Sequence, residues 1–307
     1  MRAIAVVSIT KDDGLAEAIA VALGATVIPV EVYKFKNNEI SISIDHELKG
    51  VDVIVIASTF PEINDALIKT MLLISSISNS HPNSIQLVMP YMAYSRQDKV
   101  RPKHNIMPIH TFSYIFQNLG VNNIITVDCH SVVALEQLGG FICNIESAPL
   151  MLPAIPKDRE VVIISPDKGG MVRAAILAEL AKVPYAYMQK IRQNGECIIN
   201  AVSMDIKGKT CIIVDDIVDS GATLLSASEC LIRNGAVAVS AYVTHAICAD
   251  EVLSMIGASH IDALYISDSV VHHEKRPGLQ VLSLAELLAR AINHQLALTG
   301  FVQVTHG

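Results

Sequence analysis

The residues best suited to chemistry are concentrated in one stretch, IIVDDIVDSGATL, at positions 212–224. An apolar run leads into two adjacent acids, Asp215 and Asp216. A third acid and a set of small residues follow, namely Asp219, Ser220, Gly221, Ala222 and Thr223. The pattern predicts a buried strand that ends at the acid pair, followed by a helix over 222–233. In an open parallel sheet, ligands bind outside the carboxyl ends of the strands, so the acids are expected in a binding crevice.

This arrangement favours a phosphorylated sugar as the ligand. Small residues let the backbone approach a ligand closely, and the first N–H groups of a helix attract phosphate. Carboxylates repel phosphate, so the acid pair is better suited to accept hydrogen bonds from sugar hydroxyls or to hold Mg²⁺. The alternative is an ordinary acidic turn in which Asp219 or Ser220 caps the helix.

Composition excludes several classes of protein. The 307 residues are 51% hydrophobic, which is enough for two domains with separate cores. A net charge of −7 with interspersed signs argues against a nucleic-acid groove, and the apolar runs are too short to cross a membrane. The six cysteines occur singly, without the spacing of a zinc or redox site. We therefore expect buried free thiols in a cytoplasmic protein.

Strand-like and helix-like segments alternate along the whole chain. The strands are written as near-continuous Val/Ile runs, which is typical of parallel sheets covered by helices on both faces. The proline-rich segment 148–159 is the best internal linker, so we predict two domains, 1–147 and 148–307. The halves resemble each other: VDVIVIAS is comparable to VVIISP, and SIQLVMP to TCIIVDD. The predicted fold class is therefore α/β, with two similar domains, each a mostly parallel sheet flanked by helices.

The stretch around Asp215 resembles the phosphoribosyl pyrophosphate binding motif of the phosphoribosyltransferase fold. Further segments resemble signatures of the ribose-phosphate pyrophosphokinases: YMAYSRQDK at 91–99, TVDCHS at 126–131 and SPDKGGMVRA at 165–174. FKNNE near the start and YISDSV near the end also agree in order and spacing. Membership of this family implies transfer of the pyrophosphoryl group of ATP to the anomeric hydroxyl of ribose 5-phosphate, with Mg²⁺ as cofactor and release of AMP.

The resemblance also implies roles for individual residues. Ribose 5-phosphate would be held by Asp215, Asp216, Asp219, Ser220, Gly221, Ala222 and Thr223. The nucleotide would be contacted by Arg96, Gln97, Asp98, Phe35, Asn37 and Glu39, and Mg²⁺ by His130 and Asp167. Lys190 and Arg192 would stabilise the transferring group from a polar loop over 189–196. In this family the segment of Phe35 serves a neighbouring subunit, which implies a homo-oligomer built on dimers, with a hexamer as one candidate size.

Each role has a simpler alternative. His130 could only start a helix, Arg96 could form a surface ion pair, and Phe35 could be a core residue. The segment of Lys190 could be a solvated basic turn between two strands. Lys168 departs from the family, which usually has a small residue there, and it places an extra cation beside Asp167.

Other functions must be weighed against catalysis. A non-catalytic homologue that regulates or assembles with an active synthetase would keep the fold, although retention of Lys190, Arg192 and His130 argues against it. A phosphoribosyltransferase that uses a base would not need the YSRQDK segment, and a phosphoribosyl-sensing repressor would need a basic DNA-binding domain.

Overall fold

The computed structural model describes residues 3–9, 14–97, 107–193, 196–272 and 276–304; the side chains of 190–201 and 299–304 lie outside the description. Asp98 therefore lies outside the described residues, and Lys190 and Arg192 are described by their backbone alone. The structure divides into two compact units, Met1–Ile145 with Leu284–Gly307, and Glu146–Ser283. Among the described residues, no helix is both long enough and apolar enough to cross a bilayer.

The first unit is built on a six-stranded parallel sheet. Its strands are β1 (Ile4–Ser8), β2 (Thr26–Ile28), β5 (Asp52–Ile56), β6 (Ser84–Val88), β7 (Asn123–Val127) and β8 (Ile142–Ile145), in the order β2-β1-β5-β6-β7-β8. A separate antiparallel hairpin is formed by β3 (Glu31–Lys34) and β4 (Ile40–Ser43). The helices of this unit are α1 (Leu15–Leu23), α2 (Ile63–Ser78), α3 (Pro108–Asn118), α4 (Val132–Glu136) and α8 (Ala285–Val304).

The second unit has a seven-stranded sheet. Its strands are β9 (Val161–Ser165), β10 (Tyr185–Gln193), β11 (Glu196–Val202), β12 (Thr210–Val218), β13 (Ala238–Ala246), β14 (Ala263–Ser267) and β15 (Leu279–Leu282), in the order β11-β10-β9-β12-β13-β14-β15. Only the β10–β11 pair is antiparallel. The helices are α5 (Met171–Ala181), α6 (Ala222–Arg233) and α7 (Asp250–Gly257).

The two sheets repeat one topology. In each unit the first strand is followed by a helix and a neighbouring strand. An antiparallel hairpin comes next, formed by the separate strands β3 and β4 in the first unit and by β10 itself with β11 in the second. The chain next returns to the other side of the first strand and adds strands outward from there. The predicted α/β fold with two similar, mostly parallel domains is confirmed. The equivalent strands are β1 with β9 and β5 with β12, so the predicted matching of VDVIVIAS with VVIISP was wrong by one step.

The ends of the second half differ from the predicted division. Helix α8 packs on α1 and β7, so Leu284–Gly307 belongs to the first unit although it follows the second in the chain. Its residues Leu288 and Ile292 are fully buried. The proline-rich segment predicted as a linker forms a 3₁₀ helix, Ala148–Ala154, and its Met151 is buried in the core of the second unit. Burial of this apolar side chain explains why the segment is packed and not extended.

The central strands of both sheets are buried on both faces, as their Val/Ile runs predict. Every residue of β5, β6, β7 and β9 is buried. Cys129, Cys211, Cys230 and Cys248 are buried free thiols, and Cys143 is a partly exposed one. Each sheet is thus a rigid platform whose carboxyl edge can hold functional loops in fixed positions.

Candidate active site

The candidate site of the second unit lies where β9 and β12 separate. These neighbouring strands pair from Val161↔Thr210 to Ile164↔Ile213. β9 ends at Ser165, whereas β12 continues beside β13 as far as Val218. The helix after β9 leads to β10 on one side, and the helix after β12 leads to β13 on the other. Such a change of direction opens a crevice at the carboxyl ends of the two strands.

The acid pair lies within β12 and not at its end, which corrects the predicted strand boundary. Asp215 is paired with Val243 of β13, and the pairing continues to Val218↔Ala246. One carboxylate oxygen of Asp215 accepts a hydrogen bond of 3.0 Å from the backbone N–H of Asp216. Strand pairing continues through the acids because β13 supplies backbone partners beyond the point where β9 has ended. Both carboxylates are therefore held on a regular strand at the side of the crevice.

The charges of the acid pair are balanced by a residue to which the sequence analysis gave no role. Arg173, in the first turn of α5, places its Nη2 atom 3.5 Å from Oδ2 of Asp216, and both side chains are largely buried. A cation in the first turn opposes the helix dipole, so its position indicates a need for charge at this point. That misplaced charge, inside the quoted segment SPDKGGMVRA, is the sequence signal that could have identified Arg173.

Asp215 is held in an environment that disfavours its charged form. Burial, together with the negative charge of Asp216, raises the pKa of Asp215 to about 8, while Arg173 acts in the opposite direction. Desolvation and a like charge both favour the protonated acid. A bound cation beside the pair would act in the opposite direction, because it favours the charged form of the acid.

The loop after β12 has the geometry of a phosphate cradle. Gly221 precedes α6 with a φ of 75° and supplies no capping side chain, so the alternative in which Asp219 or Ser220 caps the helix is wrong. The first N–H groups of a helix have no partner within it and point toward the N-terminal end. Asp219, Ser220 and Ala222 are exposed, and Thr223 is partly exposed. The predicted ribose-phosphate residues are therefore together on one short loop.

The loop after β9 is tightly closed on itself. Oδ1 of Asp167 accepts hydrogen bonds from the backbone N–H groups of Gly169 and Gly170, at 2.8 and 3.1 Å. The hydroxyl of Ser165 donates to the carbonyl oxygen of Asp167 at 2.6 Å. A Cβ atom on Gly170 would lie only 2.7 Å from Oγ of Ser165, so this glycine is required by close packing. Asp167 is thereby fixed at the carboxyl edge of the sheet, facing the crevice loops.

The segment of Lys190 and Arg192 is a hairpin strand and not a loop. In the backbone register, Lys190 pairs with Ile199 and Arg192 with Cys197, with an irregularity between Gln189 and Lys190. β10 pairs with β9 only from Tyr185 to Tyr187, so the rest of the hairpin extends beyond the carboxyl edge. The segment predicted as a polar loop is therefore part of a two-stranded arm, which leaves the sheet after Tyr187.

In the first unit, the predicted nucleotide and metal residues follow adjacent strands. Arg96 and Gln97 are exposed in the segment after β6, and His130 is exposed after β7. The helix that follows is capped by Ser131, whose hydroxyl accepts from the N–H of Ala134 at 3.4 Å, so the structure does not need His130 to start it. β6 and β7 are parallel neighbours, so these residues share the carboxyl edge of the first sheet.

The segment predicted to contact the nucleotide through Phe35, Asn37 and Glu39 forms the turn of the β3–β4 hairpin. Phe35 is 45% exposed, so its interpretation as a core residue is wrong, and its ring meets that of Tyr33 edge to face at 4.7 Å. Oδ1 of Asn37 accepts a hydrogen bond of 3.2 Å from the N–H of Glu39. The hairpin therefore presents an exposed aromatic pair beside polar atoms, which suits a flat ring with polar edges.

The fold and the loop after β12 define a protein of the phosphoribosyltransferase type with two such units. A family model described as the N-terminal domain of ribose phosphate pyrophosphokinase matches residues 4–120, and one described as the phosphoribosyl transferase domain matches 156–265.

Similar proteins agree over almost the whole chain. The ribose-phosphate pyrophosphokinase of Thermosipho africanus is 33% identical over 288 residues, covering 91% of this chain and 90% of that protein. The enzyme of the same name from Bradyrhizobium diazoefficiens is 34% identical over 290 residues, with 91% and 90% coverage. The crystal structure of phosphoribosylpyrophosphate synthetase from Mycobacterium smegmatis superposes with a TM-score of 0.88 at 26% identity, covering 96% of this chain and 99% of that one. The chain belongs to the ribose-phosphate pyrophosphokinase family, whose members are ATP-dependent transferases.

We expect Gly221→Ala to separate the conformational requirement of the loop from its packing requirement. Alanine at a positive φ costs about 1–2 kcal/mol. A Cβ at position 221 would also lie 3.0 Å from Cγ1 of Val252, whereas Gly208, with a φ of 78°, has nothing within 4 Å. Urea unfolding should therefore show a larger loss for Gly221→Ala than for Gly208→Ala, by about 1–3 kcal/mol. Equal losses would show that the loop is not tightly packed.

We expect Asp215→Asn to remove one pH dependence of stability. An acid whose pKa is raised by folding stabilises the protein below its unfolded pKa of about 3.9, and this contribution is lost as the pH rises through the folded value. That folded value is about 8 for Asp215. Without Mg²⁺ or ligands, the stability of the parent should thus fall relative to Asp215→Asn between pH 5 and 9, as measured by denaturant unfolding. Parallel stability curves for the two proteins would contradict the burial of an uncompensated acid.

Proposed function

We propose that the protein transfers the pyrophosphoryl group of ATP to the anomeric hydroxyl of ribose 5-phosphate, giving phosphoribosyl pyrophosphate and AMP. The observation that carries the proposal is the combination, at one crevice, of a carboxylate pair and a glycine-led helix N-terminus. Asp215 and Asp216 suit hydroxyl groups, and the amides around Gly221 suit a phosphate, so the two ends of a sugar phosphate are matched separately.

Ribose 5-phosphate would be oriented by the second unit. Its phosphate would receive hydrogen bonds from the N–H groups at the start of α6 and from the hydroxyls of Ser220 and Thr223. Its ring hydroxyls would donate to Asp216, which Arg173 holds in position. Because both anchors lie on rigid elements, the anomeric hydroxyl would be held in one orientation, which is the main requirement of phosphoryl-type transfer.

ATP would be bound by residues of the first unit and of a second copy of the chain. Arg96 and Gln97 are exposed at the carboxyl edge and can reach a polyanion. The exposed ring of Phe35, with Asn37 and Glu39, would form an adenine pocket for a neighbouring subunit, and Asp98 lies outside the described residues. The active form would therefore be a homo-oligomer built on dimers. A cytoplasmic location remains a prediction from the sequence.

The residues present fit Mg²⁺ that arrives with the nucleotide. Among the described residues, no three His, Cys, Asp or Glu side chains form a group that could hold a metal ion. Mg²⁺ is usually bound by one or two carboxylates, with water and substrate phosphates completing its shell, so a sparse protein contribution is suitable. Asp167, with one oxygen fixed by two loop amides, would provide such a ligand in the second unit, and His130 would provide one in the first. When bound, the ion supplies positive charge beside the phosphates.

The chain's own residues would complete the reaction. The anomeric hydroxyl oxygen would attack the β-phosphorus of ATP, and its proton would pass to solvent. The bond from that phosphorus to the α-phosphate oxygen would break, and AMP would leave with the electron pair. Lys190 and Arg192, on the hairpin arm beyond the carboxyl edge, would neutralise the charge that develops on the transferring group. The arm would also exclude water, which competes as a nucleophile.

The direct test is ³¹P NMR of the parent protein with ATP, ribose 5-phosphate and Mg²⁺. We expect AMP and phosphoribosyl pyrophosphate to appear in equal amounts, and EDTA to stop both. Formation of ADP would indicate transfer of the wrong phosphoryl group. Binding of both substrates without any product would instead favour a non-catalytic regulatory homologue.

We expect Lys190→Ala and Arg192→Ala to lower kcat with little change in substrate affinity. Cations that act mainly as charge develops in the transition state contribute to kcat and not to ground-state binding. Each loss should cost about 10²–10³ in steady-state AMP formation. Lys207→Ala is the matched control, since Lys207 is an exposed lysine of the same unit that precedes β12 at the opposite edge of the sheet.

Thermal unfolding of all three variants should stay close to that of the parent, because lysine and arginine side chains rarely form part of a hydrophobic core. Turnover of both arm variants at the parent rate would show that the hairpin has no part in the reaction.

A further inference from the structure

The edge of β13 that faces β14 is completed near the site by side chains and not by a strand. β14 pairs with β13 only as far as Val243. Beyond that point, the carbonyl oxygen of Thr244 accepts hydrogen bonds from the hydroxyls of two serines, one ending β14 and one in the segment after it. Nε2 of His272, farther along that segment, donates to the carbonyl oxygen of Ala246 at 2.7 Å. His272 thus takes the place of a neighbouring strand, because a buried carbonyl group needs a donor.

His272 is also tied to the start of α7. Its largely buried ring places Nδ1 3.6 Å from Oδ1 of Asp250, the first residue of that helix. Arg276 reaches the same residue: its Nη2 lies 3.7 Å from Oδ1 of Asp250, and its Nη1 donates to the carbonyl oxygen of Asp250 and to the hydroxyl of Ser254. We refer to Asp250, His272 and Arg276 as the Asp250 cluster. The cluster fastens the segment between β14 and β15 to both β13 and α7.

The elements held by the Asp250 cluster are those that support the phosphate cradle after β12. A Cβ atom on Gly221 would lie 3.0 Å from Cγ1 of Val252 and 3.4 Å from Cδ1 of Ile256, so two side chains of α7 cover this glycine directly. Ala246, whose carbonyl group is held by the cluster, is paired with Val218, the last residue of β12 before the loop. The cluster is therefore connected to the cradle twice, through α7 and through the end of β13.

The electrostatics of Cys248 show that the cluster and the cradle lie close together. Burial raises the pKa of the Cys248 thiol to about 11. The negative charges of Asp219 and Asp250 raise this pKa further, whereas Arg276 lowers it. The buried thiol is thus within electrostatic reach of an acid of the cradle loop and of two members of the cluster at once.

We propose that the Asp250 cluster positions the phosphate cradle: it holds α7 and the end of β13 where they fix the loop of Gly221 for the 5-phosphate of the sugar. The inference rests on the proposed function. Backbone N–H groups recognise a phosphate only while they converge on it, and a binding constellation must be held to within about 0.5 Å by the residues behind it. The members of the cluster lie outside the crevice loops, so they are positioning residues and not catalytic ones.

Calorimetric titration with ribose 5-phosphate and with ATP tests this role. We expect Asp250→Ala and Arg276→Ala each to weaken binding of ribose 5-phosphate about tenfold, as for loss of one charge-assisted contact. Binding of ATP should stay within about twofold of the parent value. Because the two residues act through one shared contact, the double variant should lose about tenfold as well, and not about a hundredfold.

Two further variants serve as controls. Glu251→Ala removes an exposed acid from the same turn of α7 and should match the parent for both ligands, which separates the contact from the charge of the helix end. His272→Gln keeps an N–H donor for the carbonyl oxygen of Ala246, so it should retain most of the affinity for ribose 5-phosphate that His272→Ala loses. Circular dichroism checks that each variant is folded. Arg276→Ala keeps the test decisive if Asp250→Ala is not, because it removes the same contact from the other side.

The outcomes separate this inference from the proposed function. If the parent binds ribose 5-phosphate and the cluster variants bind it equally well, the cluster has no positioning role, while the proposed reaction stands. Equal weakening of ribose 5-phosphate and ATP would show a general loss of structure and would overturn the inference, as would equal losses in the two variants of His272. If the parent forms no AMP and does not bind ribose 5-phosphate, the proposed function fails, and the role of the cluster fails with it.

Discussion

The separation of β9 and β12 is the constraint on which the rest of the site depends. The two strands share backbone hydrogen bonds only as far as Ile164 and Ile213, and β12 then continues with a single neighbour. This leaves one side of the strand open at the position of Asp215 and Asp216. A side chain placed there faces a crevice while its backbone remains tied to the sheet. The site therefore combines an accessible ligand surface with the rigidity of a buried strand.

The charges of Asp215 and Asp216 are only partly balanced by the residues around them. Arg173 compensates Asp216, whereas burial and the neighbouring charge of Asp216 raise the pKa of Asp215 to about 8. The charged form of Asp215 is therefore disfavoured in the protein alone. Substrate hydroxyls and a cation would favour that form when they bind at this position.

The local part of this arrangement could be predicted from the sequence. Helix α6 has the predicted bounds, and the ribose-phosphate residues occupy one loop, because apolar runs and small residues specify strands and turns locally. Long-range features could not be predicted in the same way. The end of β12 depends on its pairing with β13, and the place of α8 depends on packing against α1. Which strands of the two halves are equivalent can be decided only from the strand order in each sheet. The hairpin arm was missed because its polar residues are typical of a loop, and only the backbone pairing identifies it as β-structure.

The central claim is that the open side of β12 receives the sugar of ribose 5-phosphate. It is tested most directly by titrating the parent and Asp216→Asn, a substitution of equal size, with ribose 5-phosphate and with ATP in a calorimeter. The affinity for ribose 5-phosphate should fall about tenfold or more, as for loss of a charged acceptor. The affinity for ATP should stay within about twofold of the parent value. Equal losses for both ligands, or an unchanged affinity for ribose 5-phosphate, would contradict the account.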